Sequence, residues 1–127
     1  MKHLSKAIVI NNGKVLVQET RNASKGKVLD FPGGEIRSNE SGTDAAARKL
    51  FAETKIENLP HTATFSGVNE RGGRTYYAIF KADEKAELTA SISNDSQAYH
   101  WIAPQDIPLN DFYAADAEFI QTHLKND

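Results

Sequence analysis

The sequence contains no cysteine, and this absence removes several kinds of site. Without thiols the chain can form no disulfide, no thiolate zinc site and no cysteine nucleophile. It also lacks an apolar run close to the roughly 18 residues that a transmembrane helix needs. The first five residues (MKHLS) lack the apolar stretch of a signal peptide. We therefore expect a cytoplasmic protein with no membrane partner.

An excess of charge of one sign is also missing. Fifteen basic and seventeen acidic residues give a net charge of −2 at pH 7. This balance argues against a dedicated nucleic-acid or membrane surface, although it allows a small nucleotide ligand whose phosphates a metal ion neutralises. The chain has 127 residues, of which 39% are hydrophobic and 25% charged. That composition is typical of one folded domain, which we place at residues 1–127, and it leaves the oligomeric state open.

Turn signals and hydrophobic periodicity predict a mixed α/β domain. Two β-branched, apolar runs at residues 6–10 and 14–18 flank an Asn-Gly turn, which predicts a β-hairpin. A short extended segment at 28–31 ends at Pro32-Gly33-Gly34. Further elements are predicted as a helix from about residue 42 to 54, strands at 62–70, 74–82 and 98–103, a loop at 83–97, a short helical turn at 104–107 and a terminal helix at 114–124.

The central helix is predicted to have two distinct faces. At 100° per residue, one arc carries mainly apolar side chains and is expected to be buried; it comprises Ala46, Ala47, Leu50, Phe51 and Thr54. Lys49, Ala52 and Glu53 lie on a second arc about 130° away. Carboxylates at such neighbouring helix positions would cluster oxygen ligands for a divalent cation, but only Glu53 is a carboxylate here.

The segment from Gly34 to Ile56 (GEIRSNESGTDAAARKLFAETKI) resembles the signature of the Nudix hydrolase family, G-x5-E-x7-R-E-U-x-E-E-x-G-U, where U is a bulky aliphatic residue. Six of the nine specified positions match: Gly34, Glu40, Arg48, Leu50, Glu53 and Ile56. Three positions differ, because Lys49 and Ala52 replace glutamates and Lys55 replaces the closing glycine. The flanking regions are similar to the MutT-like branch of the family. The resemblance implies an α/β/α sandwich with a central mixed sheet.

The resemblance also implies a reaction and a set of site residues. Family members hydrolyse a phosphoanhydride in a nucleoside diphosphate derivative, with Mg²⁺ or Mn²⁺ polarising the phosphate and activating water. By this likeness, Gly33, Glu53 and Asp95 would hold the metal, and Glu53 and Asp95 would be the catalytic residues. Glu40 and Arg48 would form a structural ion pair. Arg21, Tyr77 and Asp116 would contact the small-molecule nucleotide, and Asp116 could accept two hydrogen bonds from a guanine edge or, alternatively, cap the terminal helix.

Lys49 and Ala52 predict that this activity is impaired. The Lys49 ammonium lies one helical turn from Glu53, so we expect it to repel a cation, pair with Glu53 and leave the metal weakly bound. Loss of a comparable transition-state stabiliser costs about 10²–10³ in rate. One alternative is a noncatalytic nucleotide-binding or regulatory domain. Another is a hydrolase whose carboxylates come from elsewhere, such as Asp44, Glu84 or Asp95.

Overall fold

The structure, a computed structural model, describes residues 3–22, 26–69, 72–82 and 97–125. These residues form seven strands, two α-helices and two short 3₁₀ turns. The strands are β1 (Leu4–Asn11), β2 (Lys14–Asn22), β3 (Gly26–Asp30), β4 (Gly33–Glu35), β5 (His61–Val68), β6 (Arg74–Lys81) and β7 (Gln97–Ile102). Helix α1 is Gly42–Thr54, and α2 is Ala114–Phe119, which continues as a π-helical turn over Ile120–Leu124. The 3₁₀ turns are Pro104–Asp106 and Leu109–Asp111.

The strands form one mixed sheet in the order β3-β2-β1-β6-β5, with β4 added on β1 and β7 on β2. The first two strands form the predicted hairpin, and positive φ angles at Asn12 (53°) and Gly13 (75°) suit its tight turn. Strand β1 runs parallel to β6, whereas its other pairings are antiparallel. The predicted loop at 83–97 lies almost entirely outside the described residues. Among the described residues, no helix is long and apolar enough to cross a membrane.

Side chains alternate across the sheet, so each face has its own core. The α1 face packs Ala7, Val9, Leu16, Ala46, Leu50, Ile56, Ala78 and Phe80. The opposite face packs Ile8, Val15, Val17, Leu29, Phe31 and Tyr77 against the C-terminal residues Ile107, Phe112, Phe119, Ile120 and Leu124. The chain is therefore the α/β/α sandwich with a central mixed sheet that the sequence predicted.

The predicted orientation of α1 is wrong at two positions. Phe51 is 40% exposed, with the Lys55 ammonium 5.1 Å from its ring centre, and Ala47 is exposed as well. The buried residues of the helix are Ala45, Ala46, Leu50 and Thr54. The buried side is therefore rotated from the predicted arc toward Lys49 and Glu53, which are both partly buried.

Candidate functional site

Strand β4 brings the two glycines of the loop up against β1 and α1. Gly33 pairs with Lys6, and a Cβ at Gly33 would overlap the backbone of Ser5. A Cβ at Gly34 would overlap the side chain of Lys49. Gly33 therefore requires glycine, because the backbone of β1 leaves no room for a side chain. At Gly34 the neighbour is the end of the flexible Lys49 side chain, which could move aside.

The loop between β4 and α1 is tied to the helix by an ion pair between Glu40 and Arg48. Arg48 Nε lies 2.7 Å from Glu40 Oε2, and Arg48 Nη2 lies 2.9 Å from Oε1. Arg48 also donates a hydrogen bond to the Glu35 carbonyl at 3.3 Å, and the Arg37 N–H donates to Glu40 at 3.1 Å. The hydrogen bonds from Arg48 hold the pKa of Glu40 down at about 2. The loop is thus held in place by two-point hydrogen bonding between the guanidinium and the carboxylate.

Glu53 lies half-buried at the last turn of α1, beside Gly33. Burial raises the pKa of Glu53, and the Asp30 charge raises it further. The Lys49 charge and a hydrogen bond from the Gly33 backbone N–H lower the pKa. The net effect raises the pKa above its usual value. Glu53 Oε2 is buried and accepts no hydrogen bond from the described residues. A buried carboxylate oxygen without a donor is costly, so this atom is suited to receive a ligand or a water molecule.

The expected ion pair between Lys49 and Glu53 is not formed. Within the described part of the chain, no acidic group lies within 4.0 Å of Lys49 Nζ. The Lys49 side chain instead extends over Gly34, which explains why the two side chains do not close on each other. Ala52 is exposed on the neighbouring side of the helix.

A cleft of about 260 Å³ begins at the two glycines and extends between β1, β3 and the C-terminal segment. Its lining includes Lys6, Gln18, Asp30, Gly33, Gly34 and Asp116. Gln18 is 8% exposed, and its Oε1 accepts no hydrogen bond from the described residues. The cleft therefore offers both charged groups and an unused acceptor to a ligand.

Lys6 forms the centre of a charged cluster in the wall of this cleft. Its Nζ lies 2.7 Å from Asp30 Oδ1 and 2.6 Å from Asp116 Oδ2. Burial alone would lower the pKa of Lys6, but the two carboxylates outweigh it and raise the pKa. Tyr77 Oη donates to Asp116 Oδ1 at 2.7 Å. Tyr77 itself is buried, stacks on Phe119 at 4.1 Å and reaches the cleft through Asp116.

The structure brings together some of the predicted site residues. Gly33 and Glu53 are adjacent, and Asp116 lines the same cleft as Gly33. Asp116 does not cap α2, because Tyr113 occupies the cap position and no side chain makes a capping hydrogen bond there. The backbone of Arg21 lies in β2 opposite Lys27, and its side chain is outside the described part. Asp95 and Glu84 also fall outside the described residues.

Sequence reasoning missed Lys6 and Asp30. A signal for Lys6 was present, because it occupies the position in β1 that alternation assigns to the same face as Ile8 and Ile10. A lysine on a buried face requires partners. Nothing local identified Asp30 as one of them.

The described residues do not fit a divalent metal site on their own. No three His, Asp or Glu side chains come together within residues 3–22, 26–69, 72–82 and 97–125 in a way that could hold a metal ion. Glu53 offers one open oxygen, and the nearby Lys49 ammonium opposes a cation. Asp44 is exposed in the first turn of α1, about 13 Å along the axis from Glu53, so it does not complete the site.

Comparison with known proteins gives a match to the NUDIX domain over residues 1–123. No curated protein matches the chain in sequence. Among solved structures, the chain is similar to MutT from Aliivibrio salmonicida and Vibrio cholerae, with a TM-score of 0.74, 19% identity and coverage of 99% of this chain and 98% of that one.

Two further structures share the fold. The E. coli ORF135 protein has a TM-score of 0.67 and 23% identity over 95% of this chain and 86% of that one. A bifunctional NMN adenylyltransferase/ADP ribose pyrophosphatase from Francisella tularensis has a TM-score of 0.78 and 20% identity over 98% of this chain and 41% of that one. At these identities the structural likeness concerns the fold alone.

Proposed function

Since the chain belongs to the Nudix family, we propose that it hydrolyses the phosphoanhydride bond of a nucleoside diphosphate derivative, and that Lys49 and Ala52 keep this activity low. The observation that supports the proposal is Glu53. It is the one remaining carboxylate of the helix cluster, it lies beside the cleft residue Gly33, and its Oε2 has no hydrogen-bond donor among the described residues.

Glu53 would act on the attacking water. A water molecule that donates a hydrogen bond to Oε2 is held and oriented toward the phosphorus atom. Its oxygen bonds to phosphorus as its proton passes to the carboxylate, and the bridging P–O bond breaks with its electron pair leaving on the departing phosphate oxygen. The raised pKa of Glu53 favours that proton transfer, because a more basic carboxylate is a better acceptor. Glu40 and Arg48 would position the loop that carries Gly33 and Gly34.

Nudix hydrolases generally use divalent metal ions. Because the described residues alone do not fit a metal site, a weakly bound Mg²⁺ or Mn²⁺ would need a further ligand, for which Asp95 is the predicted candidate. Asp116, Tyr77 and Arg21 stay the proposed substrate contacts. Asp116 lines the cleft, whereas Tyr77 is buried and would act through its hydrogen bond to Asp116. Asp116 has acceptor capacity beyond the bonds from Lys6 and Tyr77, since a carboxylate offers about four lone-pair positions.

A hydrolysis screen tests the proposed reaction. Nucleoside triphosphates, sugar nucleotides, dinucleoside polyphosphates and capped RNA are incubated with wild type and with Glu53→Gln, with and without Mg²⁺. We expect at least one substrate to be cleaved well below a typical enzyme rate of about 10 per second. Glu53→Gln should lower that rate further by about 10²-fold, the low end for loss of one acid–base group. Equal rates for wild type and Glu53→Gln would contradict the role of Glu53.

A noncatalytic nucleotide-binding domain is the second candidate. The observation that favours it is the absence of a metal-binding group within the described residues, together with a lysine in the box. Calorimetry separates the two candidates. Nucleotide binding without hydrolysis of any tested compound would establish the binding domain, whereas turnover that depends on Glu53 would exclude it.

A further inference from the structure

Lys49 and Glu53 form an unusual pair on α1, because they are neighbours that do not bind each other. They are one turn apart on the helix, and the Lys49 charge is close enough to affect the pKa of Glu53. A Cβ at Gly34 would lie 3.2 Å from Lys49 Nζ, so the missing side chain of Gly34 makes the room in which Lys49 extends. The ammonium therefore lies beside Gly34, which is one of the residues that line the cleft.

Both groups have unused hydrogen-bonding capacity. No described residue accepts a hydrogen bond from Lys49 Nζ, which has three donors, and none donates to Glu53 Oε2. The Glu53 oxygen is buried, so leaving it without a donor costs free energy, whereas the Lys49 ammonium stays open to water and to a ligand. A ligand that satisfies both must present an anionic oxygen to Lys49 and a hydrogen-bond donor to Glu53.

We propose that Lys49 binds a phosphate oxygen of the ligand directly, in the place where a metal ion would otherwise neutralise that charge. The inference rests on the proposed function for the identity of the ligand as a diphosphate. Lysine is well suited to this contact, because its ammonium is a compact point charge that binds phosphate through charge-assisted hydrogen bonds. A water molecule or a protonated phosphate oxygen supplies the donor for Glu53. Binding of the diphosphate then does not require a divalent metal.

Calorimetry with inorganic pyrophosphate tests the contact without a base or a sugar. Wild type, Lys49→Met, Lys49→Arg and Lys55→Gln are titrated in excess EDTA. Lys55 is the matched control, because it is exposed near the end of α1 with its ammonium over the Phe51 ring. We expect wild type to bind pyrophosphate in EDTA and Lys49→Met to bind about 10–100-fold more weakly, as for loss of a charged hydrogen bond. Lys49→Arg should retain most of the affinity, and Lys55→Gln should behave as wild type.

A charge-reversed variant, Lys49→Glu with Ala52→Glu, provides a second test. With two carboxylates added beside Glu53, its pyrophosphate binding should disappear in EDTA and return with Mg²⁺. Thermal unfolding of each variant checks that the fold is intact. Unchanged affinity in Lys49→Met would overturn the inference, as would tight binding by the double variant in EDTA or wild-type binding that appears only with Mg²⁺.

The same titrations separate this inference from the proposed function. Pyrophosphate binding that depends on Lys49, together with no hydrolysis of any nucleotide, would support the phosphate contact and reject the enzyme. Hydrolysis that depends on Mg²⁺ and on Glu53, without pyrophosphate binding in EDTA, would support the enzyme and reject the phosphate contact.

Discussion

At the residue scale, burial and neighbouring charges have opposing effects on the pKa of Asp116. It is 1% exposed, and burial raises its pKa more than the Lys6 charge lowers it, while Asp30 adds a further rise. The result is a pKa of about 6. With one cation and two carboxylates, the cluster of Lys6, Asp30 and Asp116 carries one net negative charge when both acids are ionised. Protonation of Asp116 makes the cluster neutral, which a poorly solvated site favours.

This pKa predicts how stability depends on pH. Asp116 has a pKa of about 6 in the folded protein against an ordinary value of 3.8, so the folded state binds more protons between these values. Its contribution to the free energy of unfolding therefore falls as pH rises from about 4 to about 6, by about 3 kcal/mol in total. Asp116→Asn should remove that fall. Urea denaturation at intervals from pH 4.5 to 7 measures it, and identical slopes for wild type and variant would contradict the raised pKa.

At the scale of elements, helix α1 shows that the apolar arc of a helical wheel does not always identify the buried face of a helix. The bounds of the helix were predicted correctly because Ser41 caps its start, with its Oγ 3.1 Å from the Asp44 N–H, and because the periodicity is regular. The buried face was predicted wrongly because hydrophobicity alone selected Phe51. The helix instead turns Lys49 and Glu53 toward the strand that carries the glycines. Charged residues that face inward are typical of a functional site, but a prediction from hydrophobic periodicity places every charged residue on the solvent side.

Two alanine substitutions on adjacent residues measure this orientation. Leu50 is 2% exposed and packs in the core on the α1 face, so Leu50→Ala should lower the free energy of unfolding by about 2–5 kcal/mol. Phe51→Ala should cost only about 1–2 kcal/mol, because the ring stays 40% exposed in the folded protein. Urea denaturation compares the two variants. A larger loss for Phe51→Ala would mean that the ring is buried after all.

At the scale of the whole molecule, the local signals predicted the hairpin, α1 and the terminal helix, but not how they meet. Turn residues and hydrophobic periodicity are short-range signals, and they were sufficient to predict a mixed α/β domain. Lys6 contacts Asp116 across 110 positions of sequence, and no local pattern encodes that pairing. The same limit applies to Asp30, which contacts Lys6 across 24 positions. The Glu40–Arg48 pair and the place of Glu53 beside Gly33 were therefore predictable from a motif, whereas contacts between distant segments were not.

The cluster around Lys6 joins the first strand, the third strand and the C-terminal helix, so it should contribute to the stability of the whole domain. The side chain of Lys6 is 11% exposed, and its removal leaves Asp30 and Asp116 facing each other without a cation. Lys6→Met, which keeps most of the length of the side chain, should lower the free energy of unfolding at pH 7.5 by about 3–5 kcal/mol, because breaking a buried pair leaves uncompensated charge.

Acidification separates this charge effect from a loss of packing. At pH 5 the carboxyl of Asp116 is mostly protonated, since its pKa is about 6 with Lys6 present and rises further without it. The penalty for Lys6→Met should therefore be smaller at pH 5 than at pH 7.5. Lys14→Met is the control, because Lys14 is exposed at the start of β2 and its removal should change stability by no more than about 0.5 kcal/mol at either pH. Urea denaturation of both variants at the two pH values provides the comparison. A penalty for Lys6→Met that is equal at both would show that Lys6 stabilises the domain by packing its methylenes and not by holding the two carboxylates together.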